Sequence, residues 1–159
     1  MMRRLATTAM LLGLAACASD PAAESWVEGS LSPADSRVLA ETVAQIARQR
    51  LPPASSTVMV APPSGATGAA GATGAAGATG SALPEAIADA LRKAGFAVTA
   101  SPAQTLGAHQ LLYRVTPFDG QMLLRVSIDA TTTAQVFGIN AKGQLAPASP
   151  QSVQTGAGP

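Results

Sequence analysis

Between residues 32 and 50, apolar side chains recur at Leu39, Val43 and Ile46, with Val38 and Ala47 alongside. Spacings of three and four place them on one helix face. Arg37, Glu41, Arg48 and Arg50 lie largely off that stripe. Ser32 is placed to cap, Pro33 suits the first helical position, and Asp35 completes an S-x-x-D capping box. The helix is expected to stop before Pro52-Pro53, because a proline pushes the preceding residue out of the α region. A second helix is predicted over 83–94, with Leu83, Ile87, Ala90, Leu91 and Ala94 on one apolar face. Glu85 near its start and Arg92 and Lys93 near its end complement the helix dipole. Gly95 stands where a helix turns left-handed at its C-terminus, and Phe96 fits the accompanying contact back onto the helix.

Elsewhere the period falls to two, the signature of strands. Residues 57–61 (TVMVA) and 96–100 (FAVTA) each predict a short strand. Residues 103–109 read as a loop. The run 110–117 sets Leu111, Tyr113 and Val115 on one face and Leu112, Arg114 and Thr116 on the other. Asp119-Gly120 marks a tight turn. The return strand, 121–129, points Met122, Leu124, Val126 and Ile128 inward and Leu123, Arg125, Ser127 and Asp129 outward. Thr131 to Ile139 predicts a further strand or edge, and 140–143 a turn. The order predicts an α+β domain: a small twisted sheet of about four to five strands with two helices on one face. Strand 57–61, helix 83–94 and strand 96–100 are placed to make a βαβ crossover.

The first residues are of another kind. Arg3 and Arg4 precede an uncharged, leucine-bearing run over 5–16, the length of a signal peptide's apolar region and too short to span a bilayer. Leu14-Ala15-Ala16-Cys17 follows. This resembles the lipobox of bacterial lipoproteins, in which a peptidase grips small residues just before a cysteine that carries the lipid. A plain secretory signal that happens to contain a cysteine is the competing reading, weakened because Cys17 is the only cysteine and has none to pair with. The resemblance implies a leader over 1–16, lipid attachment at Cys17 and a lipidated tether over 17–30. Ala18 stands where an Asp would signal inner-membrane retention, so the resemblance points to the periplasmic face of the outer membrane. Trp26, within the tether, is expected to dock on its own domain or on a partner. The domain is expected over 31–145.

Composition narrows the chemistry. Charged residues are 12% of the chain and aromatic residues 3%, against a quarter charged for an ordinary domain. Loss of the leader removes two of ten basic residues, leaving eight against nine acidic. Such a balance excludes an electrostatic nucleic-acid binder. One cysteine excludes a disulfide framework and a cysteine zinc site, and one histidine excludes a multi-histidine metal centre.

Residues 65–80, GATGAAGATGAAGATG, repeat a six-residue unit inside a loop expected over 64–82. No Lys follows as in a phosphate-binding loop, there is no proline for collagen, and glycine opposes a helix. The repeat therefore reads as a disordered loop, and the proline- and glycine-rich segment 146–159 as a flexible tail. His109 has no nucleophile motif around it. Glu85 and Asp89, four apart on a helix, are too few for a metal. Arg114 and Arg125 fall in matching register on adjacent strands, flanked by Ser127 and Asp129, and form either a polar outer sheet face or a docking surface. No catalytic residue, cofactor, metal site or small-molecule substrate is expected.

Four stretches carry a resemblance: Leu14-Ala15-Ala16-Cys17, Val58-Met59-Val60-Ala61-Pro62-Pro63, Ala90-Leu91-Arg92-Lys93-Ala94-Gly95-Phe96-Ala97-Val98, and Gly143-Gln144-Leu145-Ala146-Pro147-Ala148. Together they resemble the TrbH family of conjugal transfer lipoproteins. The Gly/Ala repeat departs from that pattern, as does the absence of aromatic residues from the tail. The resemblance implies a structural outer-membrane lipoprotein of a type IV secretion apparatus, touching lipid through acylated Cys17 and other core-complex proteins through its domain. The alternative is an unrelated periplasmic lipoprotein acting as an assembly or chaperone module, or as a small-ligand binder.

Overall fold

A computed structural model of the chain describes residues 25–61, 82–99 and 106–156. Cys17 with its leader, and the repeat 65–80, lie outside the described residues.

Both predicted helices form. Helix α1 spans Pro33–Arg50. The Ser32 hydroxyl accepts from the Asp35 backbone N–H at 3.1 Å and donates to the Asp35 carboxylate at 2.6 Å. That arrangement gives one of the first-turn amides a partner. Helix α2 spans Leu83–Lys93. Its end is a Schellman turn: Gly95 takes φ +93°, Phe96 N–H donates to Leu91 C=O at 3.1 Å, and Gly95 N–H donates to Arg92 C=O at 3.0 Å.

The sheet is mixed, curled and larger than the sequence predicts. Its strands are β1 (Trp26–Val27), β2 (Thr57–Val60), β3 (Ala97–Thr99), β4 (His109–Phe118), β5 (Gln121–Ile128), β6 (Thr131–Ile139), β7 (Leu145–Pro147) and β8 (Ser152–Thr155). The order is β3-β2-β4-β5-β6-β7, with β1 on β4 and β8 on β6. β2 pairs parallel to β3, so β2, α2 and β3 form the expected crossover unit. β4, β5 and β6 form the meander. The β4–β5 turn has positive φ at Asp119 (49°) and Gly120 (71°), the primed geometry that an Asp-Gly pair favours.

The extra strands come from segments with no alternating pattern, and they correct two expectations. Residues 145–147 and 152–155, within or beside the expected flexible tail, run antiparallel along β6. Between them Ala148 and Ser149 N–H both donate to Val136 C=O, at 2.8 and 3.3 Å, while the Ser149 hydroxyl accepts from Val136 N–H at 3.0 Å. Residues 148–151 thus stand against only 135 and 136, a bulge that lets β7 and β8 together follow the length of β6. Leu145 of β7 is buried in the core, but backbone pairing, not side-chain burial, orders β8, every residue of which is exposed.

The expected tether likewise ends in structure. β1 lies parallel to the upper part of β4, beyond the stretch that β2 takes. Ser25, just before β1, is buried, and its hydroxyl accepts from Tyr113 N–H at 3.2 Å. That bond satisfies an amide left between the two pairings. His109, expected in a loop, instead opens β4.

The core lies between the helices and one face of the sheet. α1 supplies Leu39, Val43 and Ile46, and α2 supplies Leu83, Ile87 and Leu91. The sheet supplies Val58, Leu111, Tyr113, Val115, Leu124, Val126 and Phe137, all at most 1% exposed. Each large aliphatic side chain so buried contributes about 1.5–3 kcal/mol. This single cluster sets both helices on one face, as expected, and fixes which side chains point away from it.

Candidate functional site

Strand alternation sends every second residue of β4, β5 and β6 to the face opposite the helices. Register then arranges them in rows. Arg114 stands opposite Arg125, Arg125 opposite Ala134, and Ala134 opposite Ser152. On the far side of β4, Trp26 is in register with Arg114. One row therefore crosses the sheet as Trp26, Arg114, Arg125, Ala134, Ser152. The row to one side is Leu112, Ser127, Thr132, Gln154, and the row to the other is Thr116, Leu123, Val136.

The curl of the sheet makes this face concave. It holds a groove of about 520 Å³. Leu112, Leu123, Val136 and Phe118 give it apolar surface, while Ser127, Thr132, Ser152 and Gln154 give it hydroxyls and an amide. Among the described residues, Arg114 and Arg125 are its charged lining residues and no carboxylate lines it. Ser127 and Thr132 hydrogen-bond to each other through their hydroxyls at 2.8 Å. Trp26 is 46% exposed and Phe118 55%, so two of the chain's five aromatic residues are spent on solvent. A monomer with so few aromatic residues gains most by burying them. These are binding groups: a guanidinium, an apolar floor and adaptable hydrogen-bonding side chains.

The sequence-predicted residues divide. Arg114 and Arg125 are brought together as expected, with Ser127 one row away. Asp129 leaves the groove. With φ at 51° its carboxylate turns back to His109, Oδ2 to Nδ1 at 2.7 Å, and also accepts from Gln110 N–H at 3.2 Å. His109 therefore braces the end of β4 instead of lying in a surface loop. On α2, Asp89 pairs with Arg92 at 2.9 Å. Among the described residues no three His, Cys, Asp or Glu side chains gather as a metal site. Cys17 lies outside the described residues. Trp26, expected to dock on its own domain or on a partner, lies along β4 in register with Arg114; Ser152 and Gln154 have no signature in the sequence, since their strand shows no alternation. The one available signal was a tryptophan in an otherwise small and polar stretch.

A second groove, of about 630 Å³, runs between α1 and α2 on the outer side of the helix layer. Ala40, Ala44, Ala86 and Ala90 line it, with charged residues of both signs around it. Among the described residues, no helix is long and apolar enough to cross a membrane.

Compared with known protein families, the chain matches the model described as conjugal transfer protein TrbH over residues 19–156. No curated protein and no solved structure matches it.

Proposed function

We propose that this chain, which belongs to the TrbH family of conjugal transfer proteins, is a structural lipoprotein of the conjugation apparatus. It is held at the periplasmic face of the outer membrane through acylated Cys17 and docks on other apparatus proteins through the open face of its sheet. The family match over 19–156 carries this reading, because it spans the whole described body of the chain. Membership makes the chain a conjugal transfer component and fits it to the type IV secretion machinery of the envelope.

Three features support the finer statements. The lipobox Leu14-Ala15-Ala16-Cys17 supplies a lipid site. A single acyl chain binds a membrane only marginally, so stable attachment needs the several chains such a cysteine receives. Ala18 supports outer-membrane sorting by the resemblance stated above. The open groove, with exposed aromatic residues and arginine, has the composition of an interface centre.

Metabolic labelling with a radioactive fatty acid tests the anchor. The full chain takes up label and fractionates with outer membranes, whereas Cys17→Ser takes up none and is released from them. Label that survives in Cys17→Ser, or no label in the full chain, overturns the lipoprotein reading.

A further inference from the structure

We propose that the open face of the sheet receives an amphipathic helix of a protein partner, one of whose carboxylates pairs with Arg125. The inference rests on the docking role proposed above for the same face and names the chemistry of what docks there.

Arg125 lies near the middle of β5, with β4 on one side and β6 on the other, and is exposed. Among the described residues, no hydrogen bond or ion pair engages its guanidinium and no acidic side chain lines the groove around it. Arg114 stands directly across the ladder, and like charges so placed oppose each other. A planar guanidinium in such surroundings selects a carboxylate, which it holds in a two-pronged bond.

The backbone determines the partner's form. The β4–β5 and β5–β6 ladders already use the main-chain donors and acceptors of the groove floor. An added strand has nothing to pair with there, so the occupant must satisfy its own backbone, as a helix does. Leu123, Val136 and Phe118 flank the arginine row and supply the apolar contact for such a helix's other side chains. An anionic membrane fits less well. It is recruited by clusters of roughly four to eight basic residues, and it meets a convex surface more readily than a concave one lined by two arginines.

The test uses the full chain in donor cells, with Phe118 replaced by the photoreactive p-benzoylphenylalanine, a larger aromatic at an exposed position with room for it. The crosslinked peptide is identified by mass spectrometry. The expected product joins Phe118's position to a helical segment of another apparatus protein that carries Asp or Glu. Arg125→Glu lowers its yield about tenfold or more, and Arg125→Lys retains most of it. Changing the partner's carboxylate to Lys restores the yield with Arg125→Glu. Thermal melting of Arg125→Glu and Arg125→Ala, at an exposed site, is expected to equal or slightly exceed the parent's, since either change relieves the like-charge facing of Arg114. Crosslinking to lipid or to a second copy of this chain overturns the proposal, and so does a yield that Arg125→Glu leaves unchanged. If deleting the chain reduces plasmid transfer while Arg125→Glu does not, this inference alone fails. If deletion itself leaves transfer unchanged, the functional reading fails.

Discussion

Tyr113 sits in the core on β4, and its hydroxyl is buried without a hydrogen-bond partner. The rest of the ring packs among Leu, Val and Phe side chains, so removing the oxygen leaves the packing intact. An unsatisfied buried hydroxyl costs about 1–3 kcal/mol. Tyr113→Phe is therefore expected to raise stability by about 1 kcal/mol in urea unfolding. Burial also pushes the Tyr113 phenol well above its ordinary range. The unfolded chain then ionises first, near the ordinary value of about 10. Stability is full below that pH and is lost as pH rises above it, because the unfolded state sheds a proton that the folded state keeps. Tyr113 is the only tyrosine, so phenolate absorbance reads it alone. Phenolate is expected to appear only as the protein unfolds, and Tyr113→Phe should flatten the alkaline loss. Phenolate forming in the intact fold contradicts this. Ser36, on α1, is a second buried hydroxyl without a partner. Ser36→Ala also improves helix propensity, so its melting temperature is expected to rise by a few degrees.

At the scale of elements, β8 is ordered by pairing with Thr131–Ala134 alone. Truncation after Pro150 is expected to cost about 1–2 kcal/mol and to speed amide exchange in that half of β6, with α1 and α2 unaffected. Unchanged exchange over 131–134 contradicts the pairing. The connection between β2 and α2 behaves oppositely. Deleting the repeat 65–80 shortens a closed loop, so stability is expected to stay level or rise by up to about 1 kcal/mol. A clear fall in melting temperature argues against a tolerant loop.

These two segments also show what the sequence reveals. Leu111-Tyr113-Val115 and Leu124-Val126-Ile128 were legible because their alternation encodes burial. The facing of Arg114 and Arg125 was legible because a two-residue turn at Asp119-Gly120 fixes the register of both strands. β1 and β8 were not legible. Ser152, Val153, Gln154 and Thr155 are all exposed, so their side chains record nothing of the sheet. The open edge of β6 recruits them through the backbone, and a backbone edge has no signature in residue type. His109 reads as a loop residue for a related reason, since its partner Asp129 is twenty residues away and brought near only by the hairpin.

At the scale of the whole molecule, one layer of helices covers one side of a curled sheet, and among the described residues nothing covers the other side. The low charge of the chain suits a body that works against other surfaces more than in bulk solvent. Family membership places that body among conjugal transfer components, and the proposed lipid at Cys17 holds it at the membrane. The chain is therefore expected to be dispensable for growth and needed for transfer. The most direct test is a mating assay between donor cells carrying or lacking an in-frame deletion of this chain, with the full chain and Cys17→Ser supplied in trans. The expected result is a large fall in transfer frequency on deletion, with growth rate unchanged, restored by the full chain and poorly by Cys17→Ser. Transfer that proceeds at the parental frequency without the chain contradicts the account.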